Sequence, residues 1–134
     1  MPAISFTGVT RAGAFYDMIR RGTKTQTIRE PRKHPVKAGQ RLHLYWKQRV
    51  APKDKLGEPH YLGTVTVKEV KSVLLRDIWR DAGNAVADGF ISLTEFREWF
   101  KGYPLAAELE IIRWDYSTMT YLEKQVKHVD PKAT

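Results

Sequence analysis

The sequence predicts an α+β domain, a small β-barrel with short flanking helices. Three observations carry that class: alternating or Val/Thr-rich segments recur along the chain, the helical patterns between them are short, and no regular βαβ alternation appears. A length of 134 residues fits one ordinary domain, here residues 1–116, followed by a polar C-terminal tail over 117–134. With 42% hydrophobic and 28% charged residues the composition is that of a globular chain, neither disordered nor collagen-like.

Phe15, Met18 and Ile19 fall at i, i+3, i+4, which predicts an amphipathic helix over 11–21 with Gly22 as its left-handed cap. Residues 23–29 are Thr-rich and read as a turn and strand ended by Pro31. After a turn at 36–39, residues 40–50 alternate: Leu42, Leu44 and Trp46 on one face, Arg41, His43, Tyr45, Lys47 and Arg49 on the other. Pro, Gly and charged residues make 51–59 a surface loop, and the Val/Thr-rich stretch 61–75 a long or bent strand. A short helix is expected over 76–82. Ser92 and Glu95 form a capping-box pattern ahead of Phe96, Trp99 and Phe100, so a second helix begins at Ser92; residues 106–114 complete the strands. Trp79, Trp99 and Trp114 are expected in the core, the alternative being that one of them stays exposed and stacks a base.

Net charge is +8, and its distribution is uneven. Residues 11–55 hold 13 Lys or Arg against Asp17, Glu30 and Asp54, whereas residues 56–134 hold 10 against 12 acids. A basic half of this kind is the footprint of a phosphate-bearing partner, RNA or another single-stranded nucleic acid. Absence of cysteine excludes disulfides, thiolate metal sites and cysteine nucleophiles. His34, His43, His60 and His128 lack metal-ligand spacing, so neither a metal nor a cofactor is expected. No apolar run approaches the roughly 20 residues that span a bilayer, and the N-terminus has no signal-peptide pattern; a cytoplasmic protein without membrane contact is expected.

The densest chemical segment is Gly22-Thr23-Lys24-Thr25-Gln26-Thr27-Ile28-Arg29. A Gly-capped helix end followed by Lys, Thr and Arg can set an ammonium, a hydroxyl and a guanidinium around one anionic or carbonyl-bearing ligand. On a regular strand Lys24 and Thr27 face opposite sides, while Thr25, Thr27 and Arg29 share a face. Lys24 and Thr27 therefore cooperate only if Lys24 still lies in the turn. The face carrying Arg41, His43, Tyr45, Lys47 and Arg49 mixes cations with rings, as single-stranded nucleic acid requires, and an exposed barrel face would show the same alternation.

The Gly-x-Lys-x-x-x-x-Arg pattern, the following Lys/Gly turn and the Arg-Leu-His-Leu-Tyr strand resemble the ASCH domain, a PUA-like β-barrel, over roughly residues 4–114. The resemblance implies a cleft for RNA or a modified nucleoside with Gly22, Lys24 and Arg29 at its rim. Thr27 makes the segment similar to small bacterial ASCH enzymes that hydrolyse N4-acetylcytidine. For them a Lys, a Thr three residues later and a downstream Glu are the proposed catalytic group; here Lys24 and Thr27 match, whereas the downstream region departs from the pattern, offering Asp88 but no Glu until Glu95. Three functions stay open: an amidohydrolase, a ribonuclease in the same cleft, and a non-catalytic RNA-binding module. A fourth, a calcium loop over 84–95, has Asn84, Asp88, Gly89, Ser92 and Glu95 in register but Val86 at its third position.

Overall fold

The computed structural model describes residues 2–121. Strands β1 (Ala3–Phe6), β2 (Val9–Thr10) and β3 (Gly13–Ala14) lead into helix α1 (Phe15–Arg21), then β4 (Gln26–Arg29) and β5 (Arg41–Trp46). A 3-10 turn at Pro52–Asp54 precedes β6 (Tyr61–Leu74), α2 (Leu75–Ile78), α3 (Ala82–Ala87), α4 (Leu93–Trp99) and β7 (Glu108–Thr120). Five strands form one sheet in the order β1-β5-β6-β7-β4; β1 and β5 are parallel, and the other pairs antiparallel. The sheet curls into a half-barrel, with bulges in β6 that let one long strand bend. Among the described residues no helix is long and apolar enough to cross a membrane.

Phe15, Met18 and Ile19 bury the predicted face of α1, and Gly22 closes the helix at φ 81°, its N–H on the Ile19 and Met18 carbonyls. The helix starts at Phe15 rather than residue 11, because residues 9–14 fold into the β2–β3 ladder. Leu42, Leu44 and Trp46 are buried as their alternation requires. The strand stops at Trp46, however: Lys47 takes a left-handed turn at φ 47°, so Lys47 and Arg49 leave the strand face. Tyr45 is also a correction. It keeps the His43 face of the strand, but its ring is buried there at 8% exposure, covered by His43, His60 and Tyr61.

The helix expected over 76–82 is two, α2 and α3, with the Asp81 carboxylate capping the second. Ser92 caps α4 as predicted, accepting from the Glu95 N–H at 3.3 Å. Strand β7 runs on to Thr120, so residues 117–120 belong to the sheet and not to a tail. Residues 122–134 of that tail, His128 among them, lie outside the described residues.

A half-barrel has two free edges, here β1 and β4, and side chains bridge the seam between them. Arg29 on β4 donates from Nη2 to the Ser5 carbonyl oxygen of β1 at 2.7 Å, with its guanidinium 4.8 Å from the centre of the Phe6 ring. Phe6 in turn meets Trp114 of β7 edge-on at 6.1 Å. The seam therefore has an apolar floor and a cationic lip.

Candidate active site at the barrel seam

A pocket of about 210 Å³ opens at this seam, lined by Ser5, Phe6, Thr7, Gly8, Phe15, Lys24, Thr27, Ile28, Arg29, Asp88 and Trp99. The predicted trio of Lys24, Thr27 and Asp88 thus meets in one place. The condition set by strand geometry is satisfied: β4 begins at Gln26, leaving Lys24 in the turn. That turn is pinned on both sides, since the Thr25 N–H donates to the Ala87 carbonyl and the Trp114 N–H to the Thr25 carbonyl, each at 3.1 Å.

Lys24 is 1% exposed, unusual for an ammonium. Its Nζ donates to the Asp88 carbonyl oxygen at 2.5 Å, lies 3.5 Å from Asp88 Oδ1 and sits 4.1 Å from the centre of the Phe15 ring. Burial brings its pKa down to about 8, Arg29 pushes the same way, and Asp88 opposes both. Asp88 is pushed up to about 6 by burial, with Lys24 opposing. Asp88 Oδ1 makes no hydrogen bond among the described residues, an orphaned buried oxygen of the kind that marks functional sites. Arg29 is pulled down to about 10, by burial first and then by Arg32. From Nε it donates to Thr27 Oγ1 at 3.1 Å, leaving the Thr27 proton free to transfer.

Behind the pocket lies a buried polar chain that sequence reading missed. Gln26 Nε2 donates to Asn84 Oδ1 at 2.7 Å, Arg113 Nε to Gln26 Oε1 at 3.0 Å, and Arg113 pairs with Glu69. Asn84 is thus spent on the core, Asp88 faces Lys24, and Glu95 accepts from the Ile91 and Arg11 N–H groups. The calcium-loop residues point to different partners, which overturns that alternative.

Other predicted residues separate. Gly22 and Thr25 do not line the pocket; Gly22 lies under the Tyr116 ring, where a Cβ would come within 2.8 Å of ring carbons. Arg41 is tied to Thr66 Oγ1, Thr120 Oγ1 and the Thr64 and Thr118 carbonyls, a brace of β5 to β6 and β7. His43 bonds Thr64 Oγ1 at 2.6 Å on that same side. Lys47 and Arg49 instead line a groove of about 450 Å³ that shares Ser5 and Thr7 with the pocket. A second groove, of about 520 Å³, shares Ile28, Arg29 and Trp99 with it and runs past Arg32 and Tyr103. The three hollows adjoin through shared residues and carry Lys24, Arg29, Arg32, Lys47 and Arg49 beside Glu30 and Asp88.

This half-barrel has the fold of ASCH-domain proteins. Among solved structures it matches the ASCH protein of Zymomonas mobilis with a TM-score of 0.55 at 17% identity, over 96% of this chain and 80% of that one. It matches a DUF984 protein of Enterococcus faecalis V583 with a TM-score of 0.54 at 14% identity, over 90% of this chain and 82% of that one. At such identities the likeness is one of fold. No protein-family model and no curated protein matches the sequence.

Proposed function

We propose that the chain is an amidohydrolase that takes an acylated nucleobase, N4-acetylcytidine being the model substrate, into the seam pocket. One observation carries this reading: Lys24, buried and held near neutrality, shares a small pocket with the Thr27 hydroxyl and the Asp88 carboxylate. A Thr hydroxyl attacks only when a base takes its proton, and a Lys serves only when its pKa is near ambient pH. Neutral Lys24 accepts the Thr27 proton as Oγ1 attacks the acyl carbonyl carbon. The carbon–nitrogen bond then breaks, and the exocyclic amine leaves with the proton returned by Lys24. Water then attacks the Thr27 ester, Lys24 taking a proton from the water and passing it to Thr27 Oγ1 as the carbon–oxygen bond breaks, and acetic acid leaves and ionises to acetate. Arg29, already donating to Oγ1, stabilises the negative charge that gathers on that oxygen as its proton leaves, and Asp88 steadies Lys24 while it is charged.

The flanking cationic grooves favour a second reading, a site that engages RNA without cutting or deacylating it. One experiment separates these possibilities. N4-acetylcytidine, free and within a short RNA, is incubated with the protein and with Thr27→Val, and acetate release and strand cleavage are both measured. Deacetylation by the parent but not by the variant supports the hydrolase. Strand cleavage instead makes the site a ribonuclease, and RNA retention without either product makes it a binding module.

A further inference from the structure

We infer that Trp99 is the stacking platform that receives the planar ring of the ligand and so restricts the site to heteroaromatic substrates; this deepens the reading of the seam pocket as a nucleobase site. Trp99 shares the apolar spacing of Phe96 and Phe100, yet those two are buried while Trp99 is 46% exposed. Helix α4 turns it toward the seam, where it is common to the Lys24 pocket and the Arg32 groove. Its indole is braced from behind by Phe15 at 5.6 Å and Phe90 at 5.4 Å between ring centres, and Phe15 also backs Lys24. A large apolar ring left half in water, stiffened by two buried rings beside a cationic pocket, suits a ligand with a flat π-face. A nucleobase has such a face whatever its pairing edge, so stacking selects ring planarity and leaves the acyl group to Lys24 and Thr27.

The test uses the full chain labelled with 15N and titrated with cytidine, adenosine and dihydrouridine, whose saturated ring is not planar. The Trp99 indole resonance is assigned by its loss in Trp99→Phe. Expected is a ring-current shift of that resonance with cytidine and adenosine and a much smaller one with dihydrouridine. Trp99→Ala should weaken cytidine about ten- to a hundred-fold, with Trp99→Phe recovering most of the loss. In turnover assays the Ala variant should raise KM far more than it lowers kcat. Equal cytidine affinity in Trp99→Ala and the parent, or an unmoved Trp99 resonance at saturating nucleoside, overturns the platform. A Trp99 shift without turnover leaves the platform standing and removes the hydrolase; turnover with unmoved Trp99 does the reverse.

Discussion

Asp88 holds the Lys24 ammonium twice, through its main-chain oxygen and through a carboxylate oxygen 3.5 Å away. The two residues are 64 positions apart, and each is pushed toward its neutral form by burial. Their protonation states bear on stability and, on the proposed hydrolase reading, on rate.

Activity should rise with pH. The active form needs Lys24 neutral and Asp88 ionised, so kcat/KM for an acylated cytidine should climb through a midpoint near 8 and fade further below about 6. The two midpoints belong to the coupled pair. A rate that is level from pH 6 to 9 would remove Lys24 as the base.

Stability should carry the same signature with definite signs. Between about 8 and 10.5 the unfolded chain holds the Lys24 proton that the fold has lost, so the Lys24 contribution stabilises the fold as pH rises through that window. Between 3.8 and about 6 the fold holds the Asp88 proton that the unfolded chain has lost, so the Asp88 contribution weakens as pH rises there. Urea midpoints of the parent and of Lys24→Met/Asp88→Asn, measured at pH 8 and 10, should converge as the pH increases. The double variant should be at least as stable as the parent at pH 7, because exchanging a buried ion pair for neutral groups is often neutral or stabilising. A markedly lower midpoint would show that the pair holds the fold together.

Thr27 and Lys24 should fail as a unit. Thr27→Val and Lys24→Ala should each abolish deacetylation, the double variant being little worse than either, while Thr27→Ser keeps part of the rate. Additive losses would mean that the hydroxyl and the amine act in separate steps.

RNA affinity should fall steeply with salt, and reversing Arg32 and Arg49 to Glu should flatten that slope, since each neutralised phosphate contributes about 0.7 to it on a single strand. Arg41 is unsuitable for this purpose: its guanidinium ties β5 to β6 and β7, so its reversal should lower the melting temperature instead. An unchanged salt slope in the Arg32/Arg49 variant would place the phosphates elsewhere.

Ser92→Ala should cost about 1 kcal/mol through loss of the α4 cap, seen as a lower urea midpoint. Added calcium should leave the melting temperature unchanged, because Asn84, Asp88 and Glu95 are committed to different partners. A calcium-dependent rise would contradict that assignment.

Much of the site was legible because its chemistry is local. Gly22 demands a left-handed cap, and that cap keeps Lys24 off the strand that starts at Gln26, so Lys24 and Thr27 reach one pocket. Period-two and i, i+3, i+4 patterns likewise found β5 and α4, because each buries one face. What escaped was set by tertiary contacts. Lys47 continues the alternation of β5 but a left-handed turn breaks it, and Tyr45 keeps its face yet is covered by the His60 and Tyr61 rings; neither has a pattern signature. Trp99 has the spacing of a core residue; the seam beside α4 leaves it half in water. The Gln26–Asn84–Arg113 chain joins three segments that no short-range rule connects.

Arg29's grip on Ser5 also bears on how the molecule stays apart from its own copies. An open sheet offers its outermost strands as templates for another chain, and natural proteins blunt such edges with charge or cover. Here one guanidinium from β4 occupies a main-chain acceptor of β1 and ties the two margins together. Replacing Arg29 would therefore free that β1 acceptor and release β4 from it, and any change in the proposed activity of such a variant has to be weighed against strand-to-strand self-association, which light scattering would register.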